Sequence, residues 1–273
     1  MQERLRYVNH LNEVIDFGRS GIYVSRNELH DYDWATQTKN DRISSFRKTV
    51  TKRALPVVIF CASPEEGVTA RNRLMEIAEK DVLAKKPGHL VIGDYYYKCY
   101  ITESKKSSYL RSRQLMEVKL TITSDYPYWI KETTQSFRKS KAGVGEPFDF
   151  FYDYPTDYTQ PFQQSALVNA DFTASNFKLI IYGPASQPTV YISDHAYSMA
   201  CDIEAGEYIL IDSAAKTVTK TALDGTQTNL FHLRGREAYI FEKIKSGSNT
   251  ISWSGDFGVD VILLEERSEP KWT

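Results

Sequence analysis

The sequence predicts a mostly β protein in two parts: a mixed α+β first part with one helix and a long hairpin, then an all-β second part. Three observations carry this. Aromatic residues make up 13% of the 273 residues, with 18 Tyr against 4 Met, a composition suited to strands and half-buried faces. One segment alone carries a full set of helix signals. From about Asp171 onward, short strand-like runs alternate with turn residues at close spacing, the pattern of a sandwich or jelly roll. A single convincing helix is too few for a doubly wound nucleotide fold.

In the first part, Val14-Ile15-Asp16-Phe17 reads as a short strand ended by Gly18, and Gly21-Ile22-Tyr23-Val24 as a second. Residues Arg42 to Thr51 alternate Ile43, Phe46 and Val50 with Arg, Ser, Lys and Thr, as in a strand. Leu55 to Phe60 is continuously apolar, as in a buried strand. Ser63-Pro64-Glu65-Glu66 then supplies a capping Ser, a Pro at the first helical position and a Glu three residues on. The helix is expected near 64–83, with Val68, Leu74, Met75, Ala78 and Val82 as its inward stripe, Lys85-Lys86 at its negative end and Pro87-Gly88 as its stop. After a strand and turn at His89–Asp94, the arms Tyr95 to Thr102 and Leu115 to Thr123 form a long hairpin. In the return arm the period-two pattern puts Met116, Val118, Leu120 and Ile122 on one buried face.

Residues 141–165 hold the glycines and prolines of a linker, KAGVGEPFDFFYDYPTDYTQPFQQ, so the expected division is 1–140, 141–165 and 166–273. Strands in the last part are expected at 177–182, 189–193, 197–203, 207–212, 216–223, 238–244, 250–253 and 259–264. Asp224-Gly225 between Thr-rich arms is a hairpin signal, because both turn positions accept positive φ.

The formal net charge is −1, so no global field captures nucleic acid or an anionic membrane, and basic runs such as Arg47-Lys48 and Arg138–Lys141 read as solvated faces. Cys61, Cys99 and Cys201 are an odd, scattered set that reads as reduced buried thiols, not as a disulfide framework or zinc site. The charged N-terminal stretch is not a signal peptide, and no apolar window is long enough to span a bilayer, so synthesis in a reducing cytoplasm is expected. The five histidines show no metal-ligand spacing. His195 beside Asp194 is a poor dyad, since adjacent strand residues face opposite ways. Asp149, Asp153 and Asp157 recur among aromatics and give a glycosidase reading, but a Pro-broken linker holds carboxylates poorly at fixed separation. No catalytic, cofactor-binding or metal-ligating residue is assigned.

The segment Gly93–Glu132, with two strand arms, a basic tip at Ser104–Ser108 and the aromatic exit Asp125-Tyr126-Pro127-Tyr128-Trp129, is specific in pattern and poor in reactive groups. Together with ALPVVIF, RNRLMEIAEKDV, PGHLVIGDYYYKCYI and EVKLTITSDYPYWIKE it resembles the first domain of the distal tail proteins of long, flexible-tailed bacteriophages (siphoviruses). NHLNEVIDF is similar to the start of that family, FYDYPTDY to its connector, and FKLIIYGP, GEYILIDS and NTISWSGDF to its C-terminal sandwich. The resemblance implies a split β-barrel with one helix followed by a galectin-like β-sandwich, without the large carbohydrate-binding insertion of some members. It also implies a structural tail-tip and baseplate hub, not an enzyme. Six copies would close a ring that joins the tail tube protein to the tail-associated, fibre or receptor-binding proteins. The virion tail, assembled in the host cytoplasm, would house it, with DNA passing through but not specifically bound and no membrane or cofactor involved.

The side chains expected at assembly interfaces are Trp34, Phe46, Lys105, Lys106, Tyr109, Tyr126 and Trp129. The alternative reading is a module that binds bacterial cell-wall sugars, with Tyr191 and Trp253 as contacts and Tyr197 and Tyr239 as further candidate rings.

Overall fold

The computed structural model describes residues 4–19, 21–24, 27–106, 114–139 and 163–271. The chain divides into two compact units, 1–131 with 266–273, and 132–265. This differs from the expected boundaries: β10 (Trp129–Phe137) runs through residue 131 without a break, and β11 (Gln163–Asn169) begins inside the expected linker. No Gly or Pro marks residue 131, whereas Pro161 stands two residues before β11. The rest of the linker, including Asp149, Asp153 and Asp157, lies outside the described residues.

The first unit holds β1 (Leu5–Val8), β2 (Val14–Phe17), β3 (Ile22–Val24), β4 (Ala35–Lys39), β5 (Arg42–Arg47), β6 (Thr51–Phe60), α1 (Pro64–Ala84), β7 (Gly88–Ile92), β8 (Tyr95–Lys106), β9 (Leu115–Ser124) and the start of β10. Antiparallel pairing runs β2-β1-β7-β8-β9-β6-β3. The two ends of this path, β2 and β3, are consecutive in the chain and joined by a tight turn with one bridge, Arg19 to Ile22. The long hairpin forms as expected, with Met116, Val118, Leu120 and Ile122 all buried. Its arms run further than the alternation indicated, because a bulge after Ile101 restores the register beyond Thr102.

Helix α1 starts where the capping signals place it. Ser63 Oγ accepts the Glu66 amide at 3.2 Å, and Glu66 reaches back to accept the Ala62 amide at 3.2 Å. The inward face is rotated from the expected one. It consists of Gly67, Ala70, Leu74, Ile77, Ala78 and Asp81, while Val68 and Val82 are exposed. The cause is Asp81, a polar residue that faces inward because β1 and the turn after it supply its hydrogen bonds. The helix ends on Lys85 in the left-handed conformation, φ 54°, with its amide on the last turn's carbonyls.

The second unit contains the rest of β10, β11, β12 (Asn176–Tyr182), β13 (Ala185–Ser186), β14 (Thr189–Ile192), β15 (His195–Ser198), β16 (Asp202–Ile203), β17 (Tyr208–Asp212), β18 (Thr217–Thr221), β19 (Gln227–Asn229), β20 (Gly247–Trp253) and most of β21 (Val259–Arg267). One sheet orders β19-β18-β17-β12-β21 and the other β11-β20-β14-β15. Both sheets feed one buried cluster, from Phe177, Leu179, Ile209, Ile211 and Val261 on one side to Leu167, Val190, Ile192, Ile251 and Trp253 on the other. The Asp224-Gly225 hairpin joins β18 and β19 as expected, although only Gly225 takes positive φ, at 83°. The run 238–244 is not a strand; it belongs to an irregular connection that meets the strands through isolated bridges, Ile244 to Ser175 and Arg234 to Met199.

Candidate assembly surface

The alternation at 42–51 does not bury a face. Residues 42–47 form β5 of a two-stranded arm with β4, turned at Asn40-Asp41 where both φ are positive, 51° and 58°. The arm pairs with no other described strand, so both its faces remain open: Ile43 is 57% exposed and Phe46 60%, with Val50 just beyond at 61%. Mixed apolar and polar residues mark a strand here, but say nothing of whether a partner layer exists to cover it. Phe46 therefore stands on the surface, as expected of an interface residue.

The base of the arm is held by an aromatic enclosure that the sequence reading missed. Lys48 leaves β5 and places Nζ 5.0 Å from the ring centre of Trp34, 5.1 Å from Tyr128 and 5.6 Å from Tyr32. Trp34 meets Tyr128 edge-on at 6.4 Å, and Tyr128 packs on Tyr126 at 5.2 Å. Tyr126 in turn donates its phenol to Glu266 within the same unit. Lys48 Nζ is buried and makes no hydrogen bond among the described residues. Burial, then the like charge of Arg53, pushes its pKa down to about 8, with Asp33 opposing. Lys48 is thus not a solvated face. Ring faces attract an ammonium without hydrogen-bonding it, and this is how the site keeps the charge tolerable. The only sequence signal was a lone lysine following aromatics at 32 and 34, with the third ring eighty residues downstream.

The structure brings Trp34 and Tyr126 into this one cluster through Tyr128, and leaves the remaining expected residues elsewhere. Trp129 is fully buried: its Nε1 donates to the Leu29 carbonyl at 3.3 Å and its ring packs on Tyr97 at 5.2 Å. It is a core residue, not an interface one: at the start of β10 it and Ile130 are both buried, and its ring belongs to the first unit's core. Lys105 and Lys106 lie at the far end of β8 in the long hairpin. Lys105 is 71% exposed in its side chain and pairs with Glu103 at 2.9 Å, a hydrogen bond that holds the Glu103 carboxyl below its ordinary value. Tyr109 lies outside the described residues.

The sugar candidates are corrected in the same way. Trp253 is fully buried and donates its Nε1 to the Phe257 carbonyl at 3.0 Å. Tyr197 is buried, with its phenol on the Glu242 carbonyl at 2.8 Å. Tyr191 and Tyr239 keep exposed rings. Core-facing and outward aromatics look alike in a short strand whose register is unknown.

For chemistry, His195 Nε2 lies 2.9 Å from the Tyr239 carbonyl and is thereby committed to the backbone. Among the described residues no group of three or more His, Cys, Asp or Glu side chains is arranged to hold a metal ion. The three cysteines are free, and burial raises the pKa of each thiol. A cleft of about 850 Å³ lies between α1 and the β2–β3 turn, bordered by Asp16, Cys61, Glu65, Glu66 and Arg73. Its one thiol is disfavoured as a thiolate by burial, then by Glu66.

No family model and no curated protein matches the sequence. Solved structures do match in fold. A chain of the phage P2 baseplate in its activated conformation with Ca superposes at TM-score 0.66 and 16% identity, covering 99% of this chain and 100% of that one. The same baseplate with Sr gives TM-score 0.64 and 15% identity, covering 99% and 100%. The Dit (gp 19.1) protein of SPP1, described as a paradigm of the hub adsorption apparatus in phages that infect Gram-positive bacteria, gives TM-score 0.59 and 9% identity, covering 97% and 99%. At these identities the likeness is one of fold, and over its whole length the chain has the fold of a phage P2 baseplate component and of the SPP1 Dit hub protein.

Proposed function

We propose that the protein is a structural subunit of a phage tail tip: a hub that assembles with copies of itself, through its first unit, into a ring joining the tail tube to the tail-associated and receptor-binding proteins. The observation that carries this reading is the end-to-end correspondence with baseplate and hub chains, which spans both units and leaves neither chain with an unmatched domain. The open arm supports it. Ile43, Phe46 and Val50 are large apolar side chains that a lone subunit leaves in water, and each offers about 1.5–3 kcal/mol to a contact that covers it. A ring subunit needs such heterologous surfaces. The near-neutral charge, −1, suits a channel through which DNA passes without being held by many phosphate contacts. The role is mechanical, with no covalent step, and its place is the virion tail.

Light scattering and electron micrographs of the purified chain, alone and mixed with a phage tail tube protein, test the reading. A ring-sized species, six copies by mass, is expected. A protein that stays monomeric at high concentration in both samples overturns it.

A further inference from the structure

The irregular connection between β19 and β20 is tied down at several points. Gly235 donates its amide to Ser198 at 2.8 Å, the Tyr197 phenol holds the Glu242 carbonyl at 2.8 Å, and Ser175 and Ile244 exchange backbone bonds at 2.9 and 3.1 Å. Asn169 Nδ2 adds bonds to the Ile244 and Lys245 carbonyls at 3.0 and 3.2 Å. A connection fixed so firmly, outside either sheet, presents side chains at defined positions.

What it presents is a cluster of rings and cations. Phe231 stacks on Phe241 with ring centres 6.0 Å apart, and Tyr239 meets Phe241 edge-on at 5.8 Å. The Arg234 guanidinium lies 3.9 Å over Phe231, and Lys216 Nζ lies 5.3 Å from Tyr239 and 5.4 Å from Phe241. Phe241 is buried and roots the cluster in the core, whereas Tyr239 is 55% exposed and Phe231 39%. Between residues 231 and 245 the sequence holds Arg234, Arg236, Lys243 and Lys245 against Glu237 and Glu242, so the local balance is cationic in a chain of net charge −1.

Each part has a matching ligand group. The C–H face of a sugar ring is apolar and flat, and it sheds water against an exposed aromatic ring. An adjacent guanidinium and ammonium take phosphate or carboxylate in charge-assisted hydrogen bonds. We propose that the Phe231–Tyr239–Arg234–Lys216 cluster binds an acidic polysaccharide, with a sugar ring on Tyr239 and its phosphate or carboxylate held by Lys216 and Arg234. This stands apart from the hub reading and survives its failure.

The test is binding of the full chain to a phosphomannan and to a polyuronate, with neutral dextran and single-stranded DNA of similar length as controls. Saturable binding to one or both acidic polymers is expected, weakening as salt rises. Binding to the phosphomannan alone assigns phosphate as the anion, and binding to the polyuronate alone assigns carboxylate. Tyr239→Ala and Lys216→Gln are each expected to weaken it about tenfold, roughly what loss of one ring or cation contact amounts to, while Tyr239→Phe retains it. Both side chains are exposed, and an unchanged melting temperature verifies the fold of each variant. Four results overturn the proposal: no saturable binding to either acidic polymer, dextran bound as well as they are, DNA bound as tightly, or affinity unmoved by both Tyr239→Ala and Lys216→Gln.

Discussion

Tyr7 on β1 donates its phenolic hydrogen to Asp81 on α1 at 2.5 Å, and Asp81 has no exposed surface. His10 meets the other carboxylate oxygen twice, through its amide at 2.9 Å and its ring Nδ1 at 2.5 Å. The helix is thus fastened to the first strand by a buried carboxylate whose oxygens are both occupied. Tyr7→Phe keeps the ring and removes the donor, leaving one oxygen without its partner. The expected loss is about 1–3 kcal/mol in urea denaturation, the cost of a buried unsatisfied acceptor. A midpoint equal to that of the parent protein would show that the bond contributes nothing.

Gly88 lies against this same pair. A Cβ there would sit 2.4 Å from Asp81 Oδ2 and 2.5 Å from the Tyr7 hydroxyl, and no left-handed φ is involved, so crowding alone is at issue. Gly88→Ala is expected to destabilise by about 1–3 kcal/mol. Because the two sites touch, the double variant with Tyr7→Phe should lose less than the sum of the single losses. Strict additivity would mean that the alanine pushes on something else.

Trp253→Ala separates a core role from a surface one. The ring is fully buried, packs on Phe137 at 5.8 Å between centres, and satisfies the Phe257 carbonyl. Its removal should cost about 3–5 kcal/mol. Tyr191→Ala, which removes a partly exposed ring, should cost far less. Comparable melting temperatures for the two variants would contradict the burial assigned to Trp253.

These residues show where the sequence was legible. The capping Ser63, the Met116–Ile122 alternation and the Asp224-Gly225 turn each depend on neighbours within a few positions, and the structure places them as local rules require. Trp129, Trp253, Asp81 and Lys48 depend on what another segment brings near them. Leu29, for example, supplies the carbonyl that both Trp129 and Arg53 use. Such pairings are fixed by tertiary packing, which periodicity does not encode. The open arm failed for the opposite reason: its pattern was right, but no layer packs on it. Of the expected interface residues, local reading thus found exposed ones where the chain is a free hairpin and misjudged Trp129, which belongs to a covered strand.

The arm gives the sharpest test of assembly. Ile43→Ser with Phe46→Ser alters two side chains that touch little within the subunit, so denaturation should shift by no more than about 0.5 kcal/mol, as for surface changes. Self-association should fall by at least tenfold if these residues are covered in the ring, since burying one such side chain alone is worth about 1.5–3 kcal/mol. Sedimentation of the variant at several concentrations reads this directly. An oligomer as tight as the parent's would take the arm out of the interface and leave the other hairpin, with Lys105 and Lys106, as the candidate.

Lys48 makes stability depend on pH in a defined window. Its folded pKa is lowered to about 8 from the ordinary 10.5, with burial as the first cause. Below pH 8 the ammonium is charged in both states and the cost of burying it is fully present, offset by the three ring faces. Between about 8 and 10.5 the folded protein has released this proton and the unfolded chain has not, so the Lys48 contribution to stability rises with pH. Tyr7 and Tyr197 act the opposite way from about pH 10 upward, because burial holds them neutral in the fold while the unfolded chain ionises them. The raised thiols Cys61, Cys99 and Cys201 also act in this range, so the informative quantity is a difference between two proteins that share them. Lys48→Met keeps the apolar stem inside the rings and removes the charge. It should be no less stable than the parent at pH 7, and its advantage should shrink as pH rises from 8 to 10. Parallel stability profiles across that range would mean that the Lys48 ammonium is solvated in the folded protein, and that the Tyr32–Trp34–Tyr128 enclosure does not close around it.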